Sequence, residues 1–282
     1  MHAQNLRPLV LVILLLGVEV AHAGSTVCSV NGARSWGDEI RLYTLCIDAG
    51  QMSREAIGSA LRHRAYAYFE DGLGEHALED LAQSLEYDPK SSFPHYLRGI
   101  IHMNRHQPEL AEQDFTALIE RASGFSRAWA YAYRGAIRMD RANCTDVLRD
   151  FDEALSLNPR MAIAHASKAW ILATCADAQV RNGADAIKAA KRAITFAHDW
   201  RGHAALAAGY AEEGQFENAI REAKFAQALL ETRDPTSPCR EMIREQRASY
   251  EAGRVFRSDG YEENQLTATD AMIGALETLR AE

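Results

Sequence analysis

Small and apolar residues recur along the chain with a long and nearly constant period. Segments that open on a small residue are 34, 36, 34 and 38 positions apart, and they begin at Ala65, Gly99, Gly135, Ala169 and Ala207. A second, mostly small column follows each segment after 12 residues, or 17 in the fourth unit: Ala77, Ala111, Val147, Ala186 and Ala219. A third column lies seven residues further on: Ser84, Leu118, Ala154, Ala193 and Ala226. A period in this range indicates a repeat architecture.

Each unit is predicted to be a helical hairpin. Apolar residues such as Leu78, Leu81 and Leu85 follow helical spacing. Turn-forming residues interrupt the pattern at 71–74, 105–108 and 213–215. Small side chains allow two helices to approach closely where they cross. Because one hairpin cannot bury its own apolar face, the hairpins are expected to stack.

The segments that flank the repeats predict terminal covers. Residues 38–49 are expected to form a helix that ends at Gly50, and Ser53 is expected to cap the next one. After a turn-rich break, residues 239–256 predict a capping helix. We therefore divide the chain into five segments. They are a signal peptide (1–23), an N-terminal strap with a capping helix (24–52), the repeat array (53–233), a C-terminal capping helix (234–257), and a flexible tail with a short amphipathic helix (258–282).

The first 23 residues resemble a secretory signal. Arg7 precedes an apolar run over 9–16, and Ala21 and Ala23 have the spacing that signal peptidase prefers. The run is about half as long as the roughly 20 residues of a membrane-spanning helix, so cleavage before Gly24 is favoured over an uncleaved signal anchor. We therefore expect an exported protein, periplasmic or secreted, that does not contact the membrane after cleavage.

Composition and charge narrow the classes of partner. The 282 residues are 47% hydrophobic and 25% charged, which is typical of a soluble globular protein. The chain carries 31 basic and 39 acidic residues and a net charge of -8. This charge has the wrong sign for neutralising a phosphate backbone, so we do not expect the protein to bind nucleic acid.

Five cysteines lie after the signal, and exported proteins can retain disulfides. None has the close spacing of a zinc site or a redox C-x-x-C motif. Cys28 with Cys46 is the favoured pair, since it would join the N-terminal strap to the first helix. Cys144 with Cys175 is the second candidate, and Cys239 makes the number odd.

No convincing catalytic set is found, and no catalytic, cofactor-binding or metal-binding residue is predicted. His95, His102 and His106 have spacings that place them along one helix, so a metal-binding enzyme subunit is the weakest alternative. Residues 198–201 combine a histidine, an acid and an arginine, but helix capping with a packed Trp200 explains them more simply.

With these features the sequence resembles the tetratricopeptide repeat (TPR) family. Residues 65–72 with 77–89 match its consensus nearly column by column, residues 207–228 match it again, and the resemblance covers about 53–233. Val147 and Ser123 depart from the family's Ala and Pro. Residues 172–183 lengthen the fourth turn by about five and are similar to an insertion in some bacterial members of uncertain function. The resemblance implies an all-α, right-handed solenoid of about five hairpins.

The resemblance also implies a concave groove that is lined by the first helices of the hairpins and binds an extended peptide or a partner helix. Carried over by column, the groove consists of Arg62, Tyr66, Phe69, Phe93, Tyr96, Ile100, Met103, Trp129, Met139, Ile163 and Trp170, followed by Arg201 and Glu212. Large apolar patches normally mark binding sites. The alternative is that these residues are buried against neighbouring helices or under the chain's own tail.

Together these observations predict a noncatalytic protein-interaction module that needs no cofactor. Its partner would be a protein or peptide held by a few aromatic anchors, with Tyr96, Trp129 and Trp170 foremost. The main alternative is a scaffold that self-associates through the same aromatic face.

Overall fold

The computed structural model of the protein describes residues 33–139, 143–237 and 239–257, and these residues have an all-α fold without strands. The helices are α1 (Trp36–Asp48), α2 (Arg54–Glu70), α3 (Gly74–Tyr87), α4 (Phe93–Asn104), α5 (Pro108–Arg121), α6 (Gly124–Arg138), α7 (Cys144–Leu157), α8 (Ala162–Thr174), α9 (Gly183–Phe196), α10 (Trp200–Glu212), α11 (Phe216–Arg233) and α12 (Cys239–Glu251). The predicted signal peptide, Cys28 and the predicted tail lie outside the described residues.

The helices fall into two compact units. Unit 1 contains α1 and the helix pairs α2/α3 and α4/α5, and unit 2 contains α6/α7, α8/α9, α10/α11 and α12. In both units the two helices of a pair pack directly on each other, as the repeat predicts. The repeat pattern itself contains no signal for the division, which falls between Ala122 and Ser123 in the middle of the array.

Small residues permit the close approach of paired helices, as the columns predict. Ala65 on α2 and Ala77 on α3 are fully buried. A Cβ atom added to Gly99 on α4 would lie 2.9 Å from the ring of Phe115 on α5. A methyl group therefore has no room at this crossing unless the Phe115 ring moves.

The turns lie at the predicted places. Residues 71–73 join α2 to α3 and residues 213–215 join α10 to α11, and Gly72 and Gly214 have φ angles of 78° and 71°. These left-handed conformations favour glycine. The fourth pair is joined instead by the longer segment 175–182, which confirms the predicted insertion.

Side-chain caps fix several helix starts. The Ser53 hydroxyl accepts a hydrogen bond from the Ala56 backbone amide at 3.2 Å, as predicted. The Asn143 side chain caps α7 and the Asn182 side chain caps α9 in the same manner. In the part of the chain that the structure describes, no helix is both long and apolar enough to cross a bilayer.

Candidate protein-interaction surface

Buried ion pairs join the two helices of three successive pairs. Arg64 Nη2 and Asp80 Oδ1 are 2.7 Å apart, Arg98 donates to Asp114, and Arg134 Nη2 lies 2.6 Å from Asp150 Oδ1. In each case the arginine lies on the first helix and the aspartate sixteen residues later on the second. The three aspartates are at most 5% exposed. Bidentate arginine–carboxylate pairs of this kind fix the orientation of the first helix relative to the second.

The repeat register contains the signal for these pairs, although the sequence analysis missed it. Each arginine stands one position before the leading small residue, and each aspartate stands three positions after the second column. In the fourth unit these two positions hold Lys168 and Ala189, and Lys168 pairs instead with Asp152 on α7. The fourth pair therefore lacks the buried ionic link of its predecessors.

Two of the three histidines that were weighed as metal ligands, His95 and His102, belong to this ionic system. His95 Nδ1 lies 3.3 Å and His102 Nε2 lies 3.7 Å from the Asp114 carboxylate, which Arg98 already holds. Burial acts to raise the pKa of Asp114, but hydrogen bonds from His95 and Arg98 and the arginine charge lower it below its ordinary value. Within the described residues there is no group of three or more His, Cys, Asp and Glu side chains that could hold a metal.

A similar histidine recurs in unit 2. His203 Nδ1 lies 2.9 Å from Glu222 Oε2. The two residues are nineteen positions apart, which is also the separation of His95 and Asp114. The His203 ring also stacks on Phe225 at a centroid distance of 5.3 Å. These histidines therefore pack and pair within the hairpins.

In unit 1 the predicted groove residues lie on α2 and α4. Tyr66 and Phe69 are partly buried on α2, and Phe93 and Tyr96 are partly buried at the start of α4. The rings of Phe93 and Tyr96 are 6.5 Å apart. Together they form a row of partly exposed aromatic side chains on the first helices.

Some of the other predicted positions in unit 1 are covered. Ile100 and Met103 are 5% and 1% exposed, so the alternative of burial against neighbouring helices applies to these two side chains. Trp36 of α1 packs edge-on against Tyr66 with ring centroids 5.8 Å apart. Burial lowers the pKa of Arg62, and the carboxylate of Asp88, 3.6 Å away, offsets part of this effect.

In unit 2 the predicted residues lie on or next to the first helices α6, α8 and α10. Trp129 on α6 stands between Phe125 and Tyr133, with ring centroids 6.1 and 5.6 Å away. Met139 follows α6 as its C-cap, and Ile163 near the start of α8 is partly buried. Phe125 is half exposed, so this end of unit 2 presents an apolar side chain to solvent.

Two of the other predicted positions in unit 2, Trp170 and Glu212, are contacted by the chain's own segment 254–257. The Phe256 ring lies 5.8 Å from that of Trp170 on α8. Arg257 Nη2 makes a 2.8 Å ion pair with Glu212 at the end of α10, and Arg257 Nη1 donates to the Ala173 carbonyl at 3.1 Å. The predicted tail lies outside the described residues, so this cover comes instead from the end of the predicted capping segment. The capping helix predicted over 239–256 ends at Glu251, and the non-helical residues Phe256 and Arg257 contact Trp170 and Glu212.

The insertion after α8 adjoins the same residues. Arg181 Nε donates to Glu212 Oε1 at 2.9 Å, and Arg181 Nη1 donates to the carbonyls of Cys175 and Ala176. Cys175 is joined to Cys144 by a disulfide, which confirms the second predicted pair. The disulfide and Arg181 together hold the end of α8 beside Glu212.

The residues 198–201 act as a helix start. Asp199 Oδ1 accepts hydrogen bonds from the backbone amides of Arg201 and Gly202, and Trp200 is only 7% exposed. Arg201 pairs with Asp199 at 3.0 Å and lies over the Trp200 ring. Residues 198–201 thus form a helix cap with a packed tryptophan, as the sequence predicts.

Comparisons with known proteins identify the fold. No family model and no curated protein matches the chain. YrrB, described as a TPR protein with an unusual peptide-binding site, superposes with a TM-score of 0.54 at 14% identity over 72% of this chain and 97% of its own. MamA from Desulfovibrio magneticus RS-1 superposes with a TM-score of 0.50 at 17% identity, over 71% of this chain and 99% of its own. The protein therefore has a TPR fold, which confirms the predicted fold class.

Proposed function

We propose that the protein is a noncatalytic protein-interaction module that binds a peptide or a partner helix along the first helices of its hairpins. The observation that carries this proposal is the non-helical segment 254–257, which lies on α8 and α10 with one aromatic and one charged contact. A face that already holds a short piece of polypeptide has the shape and chemistry for binding another. The TPR fold, and the peptide-binding site described for YrrB, support the same function.

The buried ion pairs support binding by a preformed surface. Arg64, Arg98 and Arg134 each bind an aspartate on the second helix of their hairpin. Because these bonds fix the position of α2, α4 and α6, the aromatic side chains on these helices are held in place before a partner binds. A rigid site loses little conformational freedom on association, so a few aromatic anchors can supply most of the affinity.

Site-specific photocrosslinking in the producing cell tests this proposal. A photoreactive residue would replace Tyr96 in unit 1 or Trp170 in unit 2, with exposed Glu79 on α3 and Glu153 on α7 as matched controls on second helices. We expect one recurrent polypeptide to crosslink from a first-helix position but not from the controls. The purified partner should then bind the Tyr96→Ala variant at least tenfold more weakly, while helicity is unchanged.

Other outcomes would contradict the proposal. Crosslinks only to a second copy would support the self-associating scaffold, which a concentration-dependent mass in solution would verify. Equal crosslinking from Tyr96 and Glu79 would show that the first helices are not the binding face.

We also propose that the protein is exported. The disulfide between Cys144 and Cys175 supports this location, because disulfides persist in oxidising compartments and are rare in the cytosol. Mass spectrometry of the mature protein from a fractionated cell tests it. A first residue at Gly24 is expected, and a cytosolic chain that starts at Met1 would refute export.

A further inference from the structure

We infer that residues 254–257 are a tethered ligand of unit 2, and that the external partner of this face presents the same chemistry: an aromatic residue followed directly by an arginine or lysine. The inference rests on the proposed function and specifies the partner of one of its surfaces. In the described chain, the segment and an external peptide would compete for the same contacts on α8 and α10.

The segment reaches this face because the chain reverses after α12. Gly253 has a φ of 66°, its amide donates to the Tyr250 carbonyl, and the Arg254 amide donates to the Ser249 carbonyl. These two bonds form a Schellman motif, which ends a helix and redirects the backbone. The non-helical residues 254–257 then cross α10 to reach α8.

The cover of the repeat array is provided by α12 and not by this segment. Ile243 and Tyr250 on α12 are buried, and Gln246 Nε2 donates to the Ala204 carbonyl of α10 at 2.9 Å. These contacts close the end of unit 2. The segment 254–257 makes additional contacts with first helices, on the face where the TPR resemblance places a peptide.

Phe256 is the apolar anchor of the segment. Its side chain is 9% exposed, whereas Val255 is 37% exposed and Arg254 is also exposed. Its ring lies 5.8 Å from that of Trp170, and it belongs to one buried cluster with the small residues Ala207 and Ala211 of α10. Small side chains on α10 leave space that a large flat ring fills, so the site selects an aromatic residue.

Arg257 is the charged anchor. Its guanidinium lies between the Glu212 carboxylate and the Ala173 carbonyl, one residue before the end of α8. A carboxylate and the carbonyl end of a helix both attract positive charge. Because Arg181 also engages Glu212, the site offers a fixed, partly buried acceptor to the next residue of a ligand.

The tether explains how such a site would be regulated. A ligand attached by a short linker has an effective concentration on the order of millimolar. An external peptide then binds with an apparent affinity reduced by the fraction of molecules whose site is open. A partner with better anchors, or a change that weakens the Arg257–Glu212 pair, would open the site.

A peptide-binding measurement tests the inference. The probe is a fluorescently labelled hexapeptide with the sequence of residues 252–257, titrated into the full chain and followed by anisotropy. In the Arg257→Glu variant the tethered segment carries a charge that Glu212 repels, so the probe should bind at least about tenfold more tightly than to the unaltered chain. Arg254→Glu makes the same charge change at an exposed position three residues earlier and should leave probe affinity unchanged.

Two further variants test whether the gain in probe affinity comes from release of the tethered segment. Phe256→Ala should also increase probe affinity, whereas Glu212→Gln added to Arg257→Glu should remove most of the gain. A probe whose phenylalanine is replaced by alanine should not bind any variant.

The inference is overturned if Arg257→Glu keeps the melting temperature of the unaltered chain but gains no affinity for the probe. It is equally overturned if the variant loses stability without any gain in binding, because the segment is then only structural. A partner crosslinked from Tyr96 in unit 1 would in either case leave the proposed function standing. Failure of both experiments would remove the proposed function as well.

Discussion

Asp114 on α5 accepts hydrogen bonds from Arg98 on α4 at 2.9 and 3.0 Å while being only 3% exposed. The same relationship joins Arg64 to Asp80 and Arg134 to Asp150. The repeat therefore contains an ionic element besides its small-residue columns, and this element holds the first helix of each of the first three hairpins in a defined orientation.

Asp114→Ala should destabilise the protein by about 3 kcal/mol, because it leaves the guanidinium of Arg98 without its partner in a partly buried site. Urea unfolding followed by circular dichroism measures this loss. The matched control is Asp152→Ala, which removes the partner of Lys168 at a half-exposed position. This exposed pair should contribute less than about 1 kcal/mol, and equal losses from both variants would refute the special role of the buried pairs.

The stability of both units should decrease as the pH falls below neutrality. Burial lowers the pKa of His63, which stacks on Tyr43 in unit 1, and of His165, which stacks on Phe196 in unit 2. A group whose pKa is lowered by folding binds its proton more readily in the unfolded chain. Its stabilising effect is therefore complete above the ordinary histidine pKa of about 6.5 and is lost as the pH falls through the lower, folded value.

Urea midpoints at pH 7.5 and 5.5 measure this dependence. His63→Gln and His165→Gln, which cannot titrate, should each reduce the difference between the two midpoints. A difference that stays unchanged in the double variant would exclude these two histidines as its cause.

Removing the Cys144–Cys175 disulfide should destabilise unit 2. The bridge joins residues separated by 31 positions, and a loop of this size corresponds to about 4 kcal/mol through the entropy of the unfolded chain. Cys144→Ala with Cys175→Ala should show this loss in urea unfolding under oxidising conditions. Reductant should destabilise the unaltered chain by more than this double variant, and an equal effect on both would show that the bridge does not contribute.

Gly99→Ala should destabilise unit 1 although alanine favours helices. The added Cβ would lie 2.9 Å from the fully buried Phe115 ring, and such overpacking costs more than the gain of up to about 1 kcal/mol in helix propensity. A net loss on the order of 1 kcal/mol is expected. A double-mutant cycle with Phe115→Leu should show coupling, since the smaller side chain relieves the clash. Additive effects would exclude this contact as the cause.

Much of the fold was predictable from local patterns. The columns that contain Ala65 and Ala77 mark helix crossings, and the glycines at 72 and 214 mark turns, because these features depend on residues close together in the chain. The arginine–aspartate pairs could also have been found by reading charges in the same register. A sixteen-residue separation is not the spacing of a catalytic or metal-binding motif, so the pairs are visible only when the charges are compared from one repeat to the next.

The division into two units and the cover on unit 2 were not predictable in the same way. Nothing in the repeat distinguishes the boundary at Ala122 from other positions between hairpins. The groove prediction placed Trp170 and Glu212 on a binding face by column, but it could not decide between an open and a covered face. That choice depends on where the chain goes after Gly253.

By itself the sequence determined the helices, their pairing into hairpins and the long fourth turn, because helix periodicity, small-residue crossings and turn chemistry act over short separations. Only the tertiary structure decided that Cys144 pairs with Cys175 and that Arg257 reaches the carbonyl of Ala173, 84 residues earlier. Such contacts depend on the packing of several helices and on one chain reversal, so no local pattern specifies them.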